Sequence, residues 1–350
     1  MSVLFSVKYL REVTPYFRKA SIISEVGWEL QRGFLSNEPP SPKTPQRADT
    51  RYLPLQLCYL VRNFRHVDPE NRTLELHSPD SVHACVLRAA DAAEACAWFN
   101  TLHSALSFLN DRALKIASST LSNILGELKL IGWLARKHYC LNGRSSSESS
   151  EENDRWQSIF AVATERELRL YESAPWSVEA WAAPMEAYPL LSTRLVSSSR
   201  QTDMIVFNIR CGTGEGVITH HLRAEAHRDL AAWARILVQG AHQCVANQRE
   251  LIFRCLYQGQ PCQLLIHYEN GFKLIERIGI SIPNRESRVL WSYPFEKLRA
   301  SADDGNRLLW LDFGGEDGEV ELDMESCPKP VVFILHNFLS AKIHRLGLIA

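Results

Sequence analysis

Two short strings in this chain could serve phosphoryl chemistry. His227-Arg228-Asp229 and Asp312-Phe313-Gly314 spell the catalytic-loop and metal-holding motifs of kinases. The position where that loop needs asparagine is Ala234, so a second metal would lose its ligand. No glycine-rich loop followed by V-A-I-K lies upstream, and His227–Asp229 falls in a helical pattern. Gly212-Thr213-Gly214-Glu215-Gly216 has no following lysine or helix and reads as a hairpin turn. The 12 histidines contain no H-E-x-x-H, and His220-His221 on a strand point to opposite faces. The 9 cysteines are scattered without a C-x-x-C pair, which excludes a zinc ribbon or a thioredoxin-like centre. The sequence therefore predicts no enzyme, no metal site and no cofactor.

Without catalysis, binding remains, and charge limits its partners. Lys+Arg 39 against Asp+Glu 40 leaves a net charge of −1, so no global basic field exists to hold nucleic acid. Hydrophobic residues at 45% and charged residues at 23% are ordinary for globular domains, and 350 residues suffice for two or three cores. The N-terminus lacks a cleavable leader, and no apolar run approaches the ~18 residues of a membrane span. These features predict a reduced, cytoplasmic protein. Asn71-Arg72-Thr73 is then a chance match to a glycosylation acceptor.

Three segments divide the chain. Residues 37–54 carry five prolines among polar residues and read as an extended linker. Residues 144–154 are serine and acid with little else, a composition that predicts a disordered loop. A softer junction falls at 243–250. Between these breaks, alternating stretches end each time in a helical pattern. Arg72–His77 and His83–Arg88 alternate, then Ala95, Trp98, Phe99, Leu102, Leu106 and Leu109 recur at helical spacing behind an Asp91/Glu94 capping box. Six further strands are predicted over 129–137, 156–163, 168–172, 190–196, 204–210 and 217–223, then a helix over 225–242. Leu-Arg-Ala precedes Trp98 and Trp233 at the same spacing, 135 residues apart, which indicates tandem related units. A third unit follows: strands over 251–257, 261–267, 271–275, 289–293, 308–313 and 319–324, closed by an apolar helix after Pro330.

Ile131-Gly132-Trp133-Leu134-Ala135-Arg136-Lys137 resembles the first strand of a pleckstrin-homology (PH) domain, whose other mark is a tryptophan-bearing C-terminal helix. More specifically, Val7–Tyr16, Trp291–Leu298, Leu311–Gly315 and Phe338–Lys342 resemble the syntrophin family along the chain's length. The resemblance implies an α+β, mainly β fold: tandem PH-like antiparallel barrels, each closed by a C-terminal helix, plus a strand-rich syntrophin-unique domain that itself has a PH-like layout. The implied boundaries are 1–36 for the end of a PDZ domain and linker, 37–54 for the proline-rich linker, 51–115 for the second half of a split PH domain, 125–245 for a PH domain, and 250–350 for the unique domain. Measured against that family, the first half of the split PH domain and nearly all of the PDZ domain are missing, so no PDZ-type peptide ligand is expected. The implied role is a non-catalytic adaptor of the dystrophin-associated complex. Its partners would be the C-terminal region of dystrophin, utrophin or dystrobrevin, with actin, calmodulin and phosphoinositides as further partners, at the cytoskeleton and the cytoplasmic face of the plasma membrane. The alternatives are a phosphoinositide-binding PH module at the membrane surface and a competitor that occupies dystrophin without PDZ cargo.

Candidate contact residues follow. Basic residues on the first strands and loop of the PH domain are Arg136, Lys137, Arg144 and Arg155. Four acids (Glu148, Glu151, Glu152, Asp154) cancel them, so the segment is either a solvated loop or a weak lipid site. On the last helix Phe333 and Leu346 stand near calmodulin-anchor spacing with Lys342 and Arg345 beside them; the competing reading is a core helix. Trp176, Trp181, Trp291, Tyr293 and Phe295 are either core or anchors for a protein partner. Ser41, Thr44 and the serines of 145–150 are plausible phosphorylation sites; phosphate beside the acids would weaken lipid attraction.

Overall fold

Alternating stretches fold as strands, and each run of strands ends in a helix. The computed structural model describes residues 55–65, 67–137, 156–201, 204–277, 288–315 and 318–347. The 37–54 linker and the 144–154 loop lie outside them. Strands β1 (Tyr59–Val61), β2 (Thr73–His77) and β3 (Ala84–Arg88) form a three-stranded antiparallel sheet, followed by helix α1 (Ala92–Leu125).

A second sheet contains β4 (Leu128–Lys137), β5 (Trp156–Thr164), β6 (Glu167–Tyr171), β7 (Glu186–Pro189), β8 (Thr193–Gln201), β9 (Met204–Thr213) and β10 (Gly216–Ala224). Its order is β7-β6-β5-β4-β10-β9-β8. The short helix α2 (Val178–Ala182) lies between β6 and β7, and α3 (His227–Gln248) follows β10.

The third sheet contains β11 (Glu250–Tyr257), β12 (Gln260–His267), β13 (Gly271–Glu276), β14 (Val289–Tyr293), β15 (Ala300–Asp303), β16 (Leu308–Asp312) and β17 (Glu319–Asp323), and α4 (Lys329–Arg345) follows it. Its order, β14-β13-β12-β11-β17-β16-β15, repeats that of the second sheet, with the first strand pairing the last. The fold is mainly β, with PH-like antiparallel sheets each followed by a helix.

The differences from the sequence reading are local. Helix α1 continues 16 residues beyond Leu109, the last position of the apolar pattern, to Leu125, because nothing breaks it before Gly126, which takes φ +74° and donates its N–H to Ser122. Its N-terminus is capped as expected: Asp91 accepts from the Glu94 N–H, while the Glu94 carboxylate reaches the N–H of Ala90. Residues 190–192 are a 3₁₀ turn, so the strand begins only at Thr193. Strands β1, β7 and β15, of three or four residues, are too short to show a period.

Contacts group the chain into two compact units: 1–164 with 169–186 and 223–227, and 165–168 with 187–222 and 228–350. In the first unit α1 serves two cores. Phe99, Leu102 and Leu106 pack with Leu60, Leu74 and Leu87 of the small sheet. Ala113, Ala117, Leu121 and Leu125 pack with Ile131, Phe160, Val162 and Trp181. Trp133 stacks on Tyr59 with centroids 5.7 Å apart and donates from Nε1 to the Leu57 carbonyl at 2.7 Å. A buried ion pair sits beside it: Arg223 Nε is 3.0 Å from Glu225 Oε1, and Glu225 also accepts from Tyr59 Oη and the Arg62 N–H. In the second unit the third sheet buries Leu264, Phe272, Leu274, Leu309, Leu311 and Leu322 together with Leu335 and Phe338 of α4. The described cysteines are free thiols, all buried except Cys96.

Candidate functional site

The proposed anchors have different fates. Ser177 caps α2 by accepting from the Ala180 N–H, which turns the Pro-flanked insert into a single helical turn. That turn drives Trp181 inward, edge-on to Phe160 and Tyr171, and Tyr171 Oη donates to the Trp181 carbonyl at 2.7 Å. Trp181 is 8% exposed, and Trp176, just before the cap, is 80% exposed. One ring completes a core and the other stands in solvent.

Trp291 and Tyr293 occupy alternate positions of β14 and therefore share a face, stacked with centroids 5.1 Å apart. Both are half-buried, and both meet the buried ring of Phe313. The Trp291 indole N–H finds no acceptor among the described residues. Phe295 leaves this face: it is buried between Phe272, at 4.8 Å, and Phe338, at 6.3 Å. Gly271, at φ +85°, makes the turn possible, because a Cβ there would overlap the Tyr293 carbonyl.

The basic candidates are partly engaged. Arg136 donates from Nη1 to Glu186 Oε1 at 2.6 Å, with both side chains more than two-thirds covered. Lys137 follows at the end of β4, and Arg144 and Arg155 lie outside the described residues.

On α4 the apolar stripe is core: Phe333 is buried, whereas Leu346 is 67% exposed, so the two anchors present no common accessible face. Lys342 lies 4.7 Å over the Phe295 ring and 5.8 Å from that of Tyr268. Arg345 forks onto the Glu269 carboxylate and covers the Tyr268 ring at 4.9 Å. That bidentate hydrogen bond lowers the Glu269 pKa and raises that of Arg345.

The strings that resemble catalytic motifs have structural uses. Asp312 accepts from the Gly314 N–H at 2.7 Å, closing the turn after β16, and Phe313 is core. Gly212–Gly216 joins β9 to β10, with Thr213 donating to the Gly216 carbonyl. His220 is buried against Tyr188. No cluster of three histidine, cysteine or acidic side chains suited to a metal occurs among the described residues. The sequence reading missed the Arg223–Glu225 network, because its partners lie about 160 residues upstream and no local pattern links them.

Residues 246–348 match the family described as "Syntrophin C-terminal PH domain", and residues 46–104 match a PH domain family. The chain is 41% identical to human beta-2-syntrophin over 99% of its own length and 65% of that protein. It is 40% identical to mouse beta-2-syntrophin, covering 67% of it. Syntrophin-1 of Caenorhabditis elegans is 36% identical over 87% of this chain and 67% of its own. This chain thus spans about two-thirds of the length of these relatives. With two seven-stranded sheets of one strand order, a C-terminal PH match and about 40% identity over an alignment that covers 99% of its residues, the chain belongs to the syntrophin family.

Proposed function

We propose that the chain is a non-catalytic adaptor that joins the C-terminal region of a dystrophin-family protein to the membrane cytoskeleton through its PH-like and C-terminal domains. The observation that carries this reading is the 41% identity to a syntrophin over 99% of the chain, which includes both seven-stranded sheets. Two aromatic surfaces support it. Trp176 stands 80% exposed beside a capped turn, and the half-buried rings of Trp291 and Tyr293 stack on one face of β14. Actin and calmodulin binding belong to the same reading. Of the calmodulin residues, Leu346 is the most accessible, while Lys342 and Arg345 are held by internal contacts. The place of action is peripheral, at the cytoplasmic face of the plasma membrane; no described helix is long and apolar enough to cross it.

The competing reading is a phosphoinositide module. The Arg136–Glu186 pair weighs against it by neutralising one of the cations such a site would use. Deletion of residues 144–154 separates the two. An adaptor keeps its affinity for the dystrophin C-terminal region, read by pull-down of the full chain, while sedimentation with anionic liposomes rises. Loss of dystrophin binding together with unchanged liposome binding would contradict the adaptor reading.

A further inference from the structure

The second unit contains a cleft of about 100 Å³ lined by β8, α3 and α4. Its walls are pinned. Asn337 of α4, 6% exposed, donates from Nδ2 to the carbonyls of Leu190, Leu191 and Thr193, at 3.4, 2.7 and 3.3 Å. Gly240 of α3 sits so close to the same turn that a Cβ would lie 2.7 Å from Leu190 Cδ1. Three elements are therefore fixed around one opening, and a group that enters meets a preformed surface.

The polar lining is unusual in sign. Arg194, His242, Asn337 and Ser340 face the cleft, and none of the described residues lining it is a carboxylate. Arg194 makes no ion pair with an acid among the described residues; its guanidinium donates instead to His336 Nδ1 at 2.8 Å. His242 Nε2 is 3.1 Å from Ser340 Oγ, and its ring lies 5.2 Å from that of His344. One cation, one imidazole and a hydroxyl thus line the cleft, with His336 and His344 in contact with the first two and no acidic side chain among the described lining residues. This is the complement of an oxyanion: a guanidinium fork, imidazole N–H groups and a hydroxyl.

We propose that this cleft binds the tetrahedral oxyanion of a phosphate ester. The proposal is independent of the adaptor reading and uses none of the residues assigned to it. It is also separate from the β4 basic residues, which lie on another part of the chain. The environment agrees. Burial and the neighbouring cation hold His336 below its usual pKa, and burial and His344 do the same to His242. An anion placed among them reverses the charge effect, so it should bind more tightly as pH falls and the imidazoles take protons. The groups facing these rings are Arg194 from β8, His336 and His344 from α4, and His242 from α3.

The test uses the full chain with ¹³C-labelled histidine, followed by NMR. Glycerol phosphate is the soluble probe, sulfate supplies a fixed-charge oxyanion, and phosphatidic acid in phosphatidylcholine vesicles is the membrane-borne form. The expected result is a saturable shift of the His242 and His336 signals with the soluble ester and with sulfate, tighter at pH 6 than at pH 8 for sulfate. Arg194→Gln should weaken it about tenfold, the loss of one charge-assisted contact. His242→Gln, on a different element, should weaken it independently, which covers the case of one variant misfolding. Vesicle binding with the same Arg194 dependence identifies a lipid headgroup as the source; response to the soluble ester alone identifies a free ligand. No saturable shift, or an equal response in wild type and both folded variants, overturns the proposal.

Discussion

Trp176 and Trp181 stand five positions apart in one Pro-flanked insert, and residue type alone assigns both to the same role. The Ser177 cap decides between them, because it fixes where the helical turn begins and hence which ring points inward. Trp181→Ala should cost roughly 3–5 kcal/mol, seen as a large fall in the unfolding midpoint. Trp176→Ala should leave stability within about 0.5 kcal/mol. It should weaken binding of the dystrophin C-terminal region by about 2 kcal/mol if the ring is an anchor, measured by calorimetry. Equal stability losses for the two variants would contradict the placement. Titration is a second residue-scale property. His242 and His336 have pKa values below the ordinary imidazole value in the folded state, chiefly through burial. The unfolded chain therefore binds protons that the folded chain refuses, and these two groups should cost stability as pH falls below about 6.5. Urea midpoints at pH 7.5 and 5.5 check the sign, and His242→Gln with His336→Gln should flatten the difference.

At the scale of elements, most strands and all three long helices are legible in the sequence, because period two and period 3.6 were imprinted by burial on one face. Helix α1 shows where that legibility ends. Its first half carries large apolar residues at helical spacing; its second half packs with Ala113 and Ala117, small residues whose stripe is faint until the core they meet is known. The candidate sites were less legible still. Arg136 looks like a free cation until Glu186, 50 residues on, is placed beside it. Lys342 and Arg345 look like the basic flank of a target helix until Tyr268, Glu269 and Phe295 occupy them. Asn337, a lone amide on an apolar helix that no sequence pattern singles out, holds α4 to the turn before β8. Asn337→Ala should destabilise the protein by about 1–3 kcal/mol, because three buried carbonyls lose their donor. Chemical denaturation reads this directly, and a loss below about 0.5 kcal/mol would show that water or relaxation replaces the amide.

At the scale of the whole molecule, two sheets of seven strands share one strand order, each followed by a helix, and a smaller three-stranded sheet precedes them. The repeat of Leu-Arg-Ala and tryptophan across 135 residues is the sequence trace of the first two related units. The helix after the third sheet carries no tryptophan, and the kinship of that unit shows in strand order instead. The most direct measurement is calorimetric titration of the full chain with the C-terminal region of dystrophin. The account predicts saturable binding, micromolar or tighter, that is weakened by Trp176→Ala and unaffected by mutation of Arg194. A folded chain that shows no heat of binding and no displacement in competition with a full-length syntrophin would contradict it.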